Sequence, residues 1–105
     1  MIAYKLLRQR KDGTLGPLFI NASQRVPVGE WLEAENHPTR GFAQRQGWHC
    51  TLTPNAPHLK LEPKGSTRVW AMVDVEDFEK YNRPESQGGT WVLAQRMKVI
   101  KTIGV

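Results

Sequence analysis

The middle of this 105-residue chain gathers the side chains best able to do chemistry: His37, His49, the sole cysteine Cys50, and His58. Three histidines and a thiol suit zinc by type, because zinc takes nitrogen and sulfur ligands in a tetrahedron. Their spacing does not suit it. His49 and Cys50 are adjacent, and neighbours on a strand point to opposite faces. The sequence therefore names no metal ligands. A Cys50 nucleophile with His49 or His58 as base needs a neighbour that lowers the thiol pKa. No oxyanion-hole motif accompanies them, and a lone cysteine usually serves as a small apolar core residue. No residue is assigned as catalytic. His49 is the one residue of the group worth testing as an acid–base or ligand-holding side chain.

Two further motifs carry less. Gly88-Gly89 precede a strand-like run, and their N–H groups suit a phosphate, but no G-x-G-x-x-G or Walker sequence surrounds them. Pro54-Asn55-Ala56-Pro57 has P-x-x-P spacing and reads more simply as a rigid loop.

Charge is the stronger signal. The net charge is +5, and it is uneven. Residues 1–25 hold five basic side chains and one acid, and residues 81–105 hold four and one. Residues 61–80 run the other way, three against five. If both terminal segments enter one sheet, Arg8, Arg10, Lys11, Arg96, Lys98 and Lys101 add into one positive face. Such a face attracts phosphates or an acidic protein surface. Replacing Arg96, Lys98 and Lys101 together is then expected to weaken binding and flatten its salt dependence. A basic balance also argues against mimicry of DNA, which needs acidic faces.

The elements that must position these residues read mainly as strands. Ile2 to Arg10 alternates, with Ile2, Tyr4 and Leu6 on the expected core face and Leu7 out of step. Asp12-Gly13 marks a hairpin turn, with Leu15 to Ile20 returning. Glu30 to Glu35 reads as a short helix, and Phe42 to Gln46 as one more helical turn. His49 to Leu52 reads as a strand and Thr53 to Pro57 as loop. Leu59 and Leu61 alternate with charge, and residues 63–66 form a turn. Val69, Ala71, Val73 and Val75 make the cleanest alternation in the chain. Asp77 to Tyr81 suits one or two helical turns, and residues 82–89 a polar loop. Trp91 to Ala94 and Met97 to Ile103 are two strands, or one bent near Gln95-Arg96. The expected fold is α+β: a single small domain spanning residues 1–105, mainly an antiparallel twisted sheet with one or two short helices. One cysteine forms no internal disulfide, and the opening run is too short and charged for a signal peptide, so the cytoplasm is the expected compartment.

Several of these stretches together resemble short uncharacterised proteins encoded by phages and prophages. They are the Lys-Asp-Gly hairpin, Gly47-Trp48-His49-Cys50 with Pro57-His58-Leu59, Arg68-Val69-Trp70, and the run from Arg83 to Trp91. The resemblance implies a non-enzymatic accessory protein in the host cytoplasm. Its partner would be a host protein or ribonucleoprotein, and its task inhibition of a nucleic-acid-targeting defence complex, without a cofactor. A second resemblance is to the ADP-ribosyltransferase-like fold. It rests on a Gly-aromatic-His strand in mid-chain and the closing Met97-Lys98-Val99-Ile100-Lys101. It implies an NAD-dependent enzyme or a degenerate relative of one, with His49 holding NAD and Glu85 stabilising the developing cation. A virion-associated structural protein is the third reading.

Overall fold

The computed structural model describes residues 1–17, 24–34, 47–54, 67–87 and 89–103. Six strands lie in one antiparallel sheet: β1 (Ile2–Gln9), β2 (Leu15–Gly16), β3 (Trp31–Glu33), β4 (Trp48–Thr51), β5 (Thr67–Asn82) and β6 (Thr90–Ile103). The sheet closes on itself. β1 pairs with β5, β5 with β6, β6 with β4, and β4 returns to β1 through Tyr4 opposite Thr51. β2 extends the far end of β1, and β3 continues along the edge of β6 beyond β4. The result is a small barrel, an arrangement that leaves few strand edges open.

The interior follows the period of two. Ala3 and Leu7 of β1, Ala71, Val73 and Val75 of β5, and Cys50 of β4 face inward, and all are buried. On β6 the inward residues are Val92 and Ala94, then Met97 and Val99. Their parity changes at Gln95-Arg96, where the sequence suggests a bend, and β6 runs through it as one strand. The β5–β6 register slips by one between Met72 and Val73, leaving Ile100 as the extra residue of a bulge. Bulges of this kind add the local twist that barrel closure needs.

A second cluster packs Leu6, Trp70, Trp91 and Leu93, with Tyr4, Tyr81 and Ile103 against them. β1 thus buries both faces, which is why Leu7 sits out of step with Tyr4 and Leu6. Tyr4 and Leu6 belong to this second cluster, and Ile2, expected in the core with them, is 46% exposed.

The α+β expectation is corrected here. Among the described residues the only helical piece is one 3-10 turn, Glu85–Gln87. The segment read as a helix around Trp31 is strand β3, its residues opposite Met97, Lys98 and Arg96. So short a segment cannot repay helix nucleation, whereas the edge of β6 offers it hydrogen bonds at once. Asp77 to Tyr81 is not helical either. It continues β5, paired with β6 from Phe78 to Asn82. Asp77 takes a positive φ of 51°, a conformation that aspartate tolerates better than most residues. The run 42–46, the alternation at 59–61, the turn at 63–66, His37 and His58 lie outside the described residues. Among the described residues no helix is long and apolar enough to cross a membrane.

Candidate functional site: a divided basic surface and a lysine in the interior

The Asp12-Gly13 turn folds as its sequence suggests. Gly13 has φ 85°, its N–H donates to the Arg10 carbonyl at 2.9 Å, and the Arg10 N–H donates to the Thr14 carbonyl at 2.9 Å. Asp12 accepts from the Thr14 hydroxyl at 2.6 Å and from the Thr14 N–H at 3.0 Å. Those bonds, joined by Arg25 at 3.2 Å, hold its carboxyl down at about 2. The Arg25 guanidinium also donates to the Thr14 hydroxyl.

This turn is the basic end of the barrel. On the adjoining strands Arg8 lies directly opposite Arg68. Like charges facing one another across a ladder cost stability. Lys11 and Arg25 are exposed beside them. Arg10 has a different task. Its guanidinium donates to the carbonyls of Leu15 at 2.9 Å and Gln24 at 2.8 Å. It therefore clamps the turn to the segment entering Val26.

The other predicted cations lie elsewhere. Lys98 is opposite Asp74, six residues along β5 from Arg68, a separation of roughly 20 Å at strand rise. Lys101 is opposite Met72 and exposed. Arg96 sits between two acids, Glu33 at 2.9 Å and Glu76 at 2.6 Å. Its guanidinium carbon is 4.9 Å from the Trp31 ring centre, and Lys98 Nζ is 5.0 Å from the same centre. Arg96 thus ties β3, β6 and β5 together. The six sequence-nominated cations fall into two groups because β1 and β6 flank β5 on opposite edges. Arg25 and Arg68 complete the first group; pairing, not spacing, reveals them. A helical reading of its segment hides Trp31.

The middle of the chain folds as β4, and adjacent residues do diverge. Cys50 faces the interior, fully buried, and burial pushes its thiol up to about 11 despite nearby Lys5. A thiol held protonated at neutral pH is no nucleophile. Cys50 is therefore expected to resist a thiol reagent under native conditions and to react fully once unfolded, as a timed colorimetric titration would record. His49 lies on the opposite face, its ring edge-on to Trp91 at 6.4 Å between centres. Among the described residues no group of three or more His, Cys, Asp or Glu side chains is placed to hold a metal ion.

Glu85 is in the 3-10 turn of the β5–β6 hairpin. That turn is well bonded. The Arg83 guanidinium donates to the Gln87 side chain at 2.6 Å, and the Trp91 indole donates to the Gln87 carbonyl at 2.6 Å. Arg83 also lies over the Trp91 ring at 5.6 Å. The Gly89 N–H donates to the Pro84 carbonyl at 3.2 Å, so it is occupied in closing the hairpin.

Nothing in the local sequence singles out Lys5. It alternates with Ala3 and Leu7 and so shares their inward face. Its ammonium donates to the His49 carbonyl at 2.9 Å and lies 5.9 Å from the Trp48 ring centre. Burial pushes its pKa below the usual lysine value, an effect that Cys50 opposes.

Comparison with protein-family models, curated proteins and solved structures found no match.

Proposed function

We propose that this domain is a non-enzymatic binding module, a phage-type accessory protein that engages a host ribonucleoprotein and inhibits a nucleic-acid-targeting defence complex. The observation that supports it best is the basic end of the barrel. Arg8 and Arg68 face one another on adjacent strands, with Lys11 on the neighbouring turn and Arg25, from the segment entering Val26, paired with Asp12 of that turn. Two guanidinium groups side by side on adjacent strands raise the local density of basic groups, and density of that kind suits polyanion capture. Guide or target phosphates of a ribonucleoprotein are the matching ligand. Lys98 and Lys101 add a second, weaker point of attraction, since Arg96 is held between Glu33 and Glu76.

Fluorescence anisotropy with a labelled single-stranded RNA, at rising salt, tests the phosphate contact. Removing one cation that meets a phosphate is expected to lower the slope of log K against log salt by about 0.7. Arg8→Glu, Lys11→Glu and Arg68→Glu together should weaken binding at least ~10-fold and flatten that slope by about two. The triple replacement of Arg96, Lys98 and Lys101 should have the smaller effect. Affinity independent of salt, or unchanged by the first triple variant, would refute the reading. Titration of the domain into a purified RNA-guided nuclease then tests inhibition itself.

A further inference from the structure

The C-terminal half of β5 leaves a strand edge open among the described residues, and its charge is opposite to that of the domain. β5 is paired with β1 only as far as Asp74, after which the Val75 N–H donates to the Met1 carbonyl at 2.9 Å. Beyond that point β5 is paired on one side only, by β6. Every residue from Glu76 to Lys80 is exposed. Successive strand residues point to opposite faces, so exposure of all of them places both faces of this segment in solvent. Even Phe78 is 37% exposed.

The hydrogen-bonding parity of the edge follows from the hairpin. The Arg83 N–H donates to the Gly89 carbonyl at 3.0 Å across the ladder. In an antiparallel pair the groups facing the partner alternate with groups facing away. Tyr81 and Glu79 therefore bond toward β6, while Phe78, Lys80 and Asn82 turn their N–H and C=O groups outward. An added strand needs just such a row. The edge is also acidic, with Asp77 and Glu79 against Lys80 and Glu76 already paired with Arg96, in a chain of net charge +5. Asp77, at φ 51°, ends the alternation of β5 where β1 leaves it.

We propose that the edge Glu76–Asn82 is a docking site for an extended, lysine- or arginine-rich segment of a partner protein, which adds to β5 as a further antiparallel strand. Outward N–H and C=O groups of Phe78, Lys80 and Asn82 supply the ladder, and the acids select for basic side chains. A second copy of this chain pairing through the same edge would set acids against acids, which disfavours it. The site is separate from the basic end, and it stands or falls without the RNA contact. Together the two surfaces match the two components of a ribonucleoprotein, its phosphates and its basic protein segments.

The test is an NMR titration of the full chain with a synthetic peptide alternating lysine and valine, and a control alternating glutamate and valine. In the free protein the Phe78, Lys80 and Asn82 amides should exchange fast with solvent. The lysine peptide should slow them at least ~10-fold, and the glutamate peptide should leave them unchanged. Asp77→Asn with Glu79→Gln keeps the backbone requirement and removes two charges, and should weaken the lysine peptide several-fold. Lys80→Pro deletes an outward N–H while sparing the β6 ladder, and should abolish binding with a dispersed spectrum retained. The proposal is overturned if these amides are already protected in the free protein, if protection appears only with self-association, or if both peptides bind alike. It is equally overturned if the double charge variant binds the lysine peptide unchanged. Arg8→Glu, Lys11→Glu and Arg68→Glu should leave peptide binding intact, which separates failure here from failure of the RNA contact.

Discussion

Lys5→Met should fold to a domain roughly 1–2 kcal/mol more stable than the parent at pH 7. The ammonium on the inward face of β1 has one hydrogen bond, to the His49 carbonyl at 2.9 Å, and the Trp48 ring near it. The side chain is half-buried, and desolvation of the ammonium depresses its pKa against those interactions. Methionine fills similar volume without the charge. The loss of one hydrogen bond to the carbonyl returns about 1 kcal/mol of the gain.

The pH dependence gives a sharper reading. Between its depressed folded value and the ordinary 10.5, Lys5 binds more protons in the unfolded chain than in the fold. Stability contributed by this site therefore rises with pH across that window. Cys50 acts in the opposite sense. Its thiol, raised from 9.0 to about 11, keeps its proton in the fold after the unfolded chain has lost it. Stability falls from pH 9 upward on its account, by roughly 2–3 kcal/mol once pH passes the folded value. In a Cys50→Ala background, urea melts from pH 7 to pH 10 should thus show rising stability, and adding Lys5→Met should remove the rise. A rise that persists without Lys5 would locate the titration elsewhere.

Gly47→Ala should cost about 2–4 kcal/mol, far more than alanine at Gly29. Gly47 leads into β4 with φ 119°, outside what an alanine readily adopts. A Cβ there would also sit 3.1 Å from the Ala94 carbonyl oxygen and 3.2 Å from the Ala94 nitrogen. Both are backbone atoms of β6 and cannot swing away. Gly29 separates the two causes. It has φ 87°, but a Cβ there meets nothing within 4 Å. Gly29→Ala should cost only about 1 kcal/mol. Equal losses in thermal melts of the two variants would mean that the close approach of Gly47 to β6 contributes nothing.

That approach matters because β4 closes the barrel. Trp48 to Thr51 pair with Ala94 to Trp91 on one side, and Thr51 meets Tyr4 on the other. The Trp48 indole donates to the Leu32 carbonyl at 3.1 Å. The stretch that carries the histidine and thiol is therefore the closing strand. Its chemistry-bearing residues are divided between the inside and the outside of the wall.

Local pattern was enough for several elements. Asp12-Gly13 specifies its turn because glycine supplies positive φ cheaply. Val69 to Val75 alternates cleanly because one face fills the barrel, and the bend at Gln95-Arg96 shows as a break in apolar parity. The opposition of neighbours at His49 and Cys50 follows from strand geometry alone. Net charge and its concentration near the two ends are likewise properties of the sequence. Only tertiary structure decided the rest. Whether Trp31 to Glu33 and Phe78 to Asn82 become helix or strand depended on β6 being alongside to accept them. Strand pairing opposed Arg8 to Arg68 and removed Arg96, Lys98 and Lys101 to another part of the surface. Barrel closure turned Lys5 inward, because the face that a strand buries is set by its partners across the sheet, and those partners lie far away along the chain.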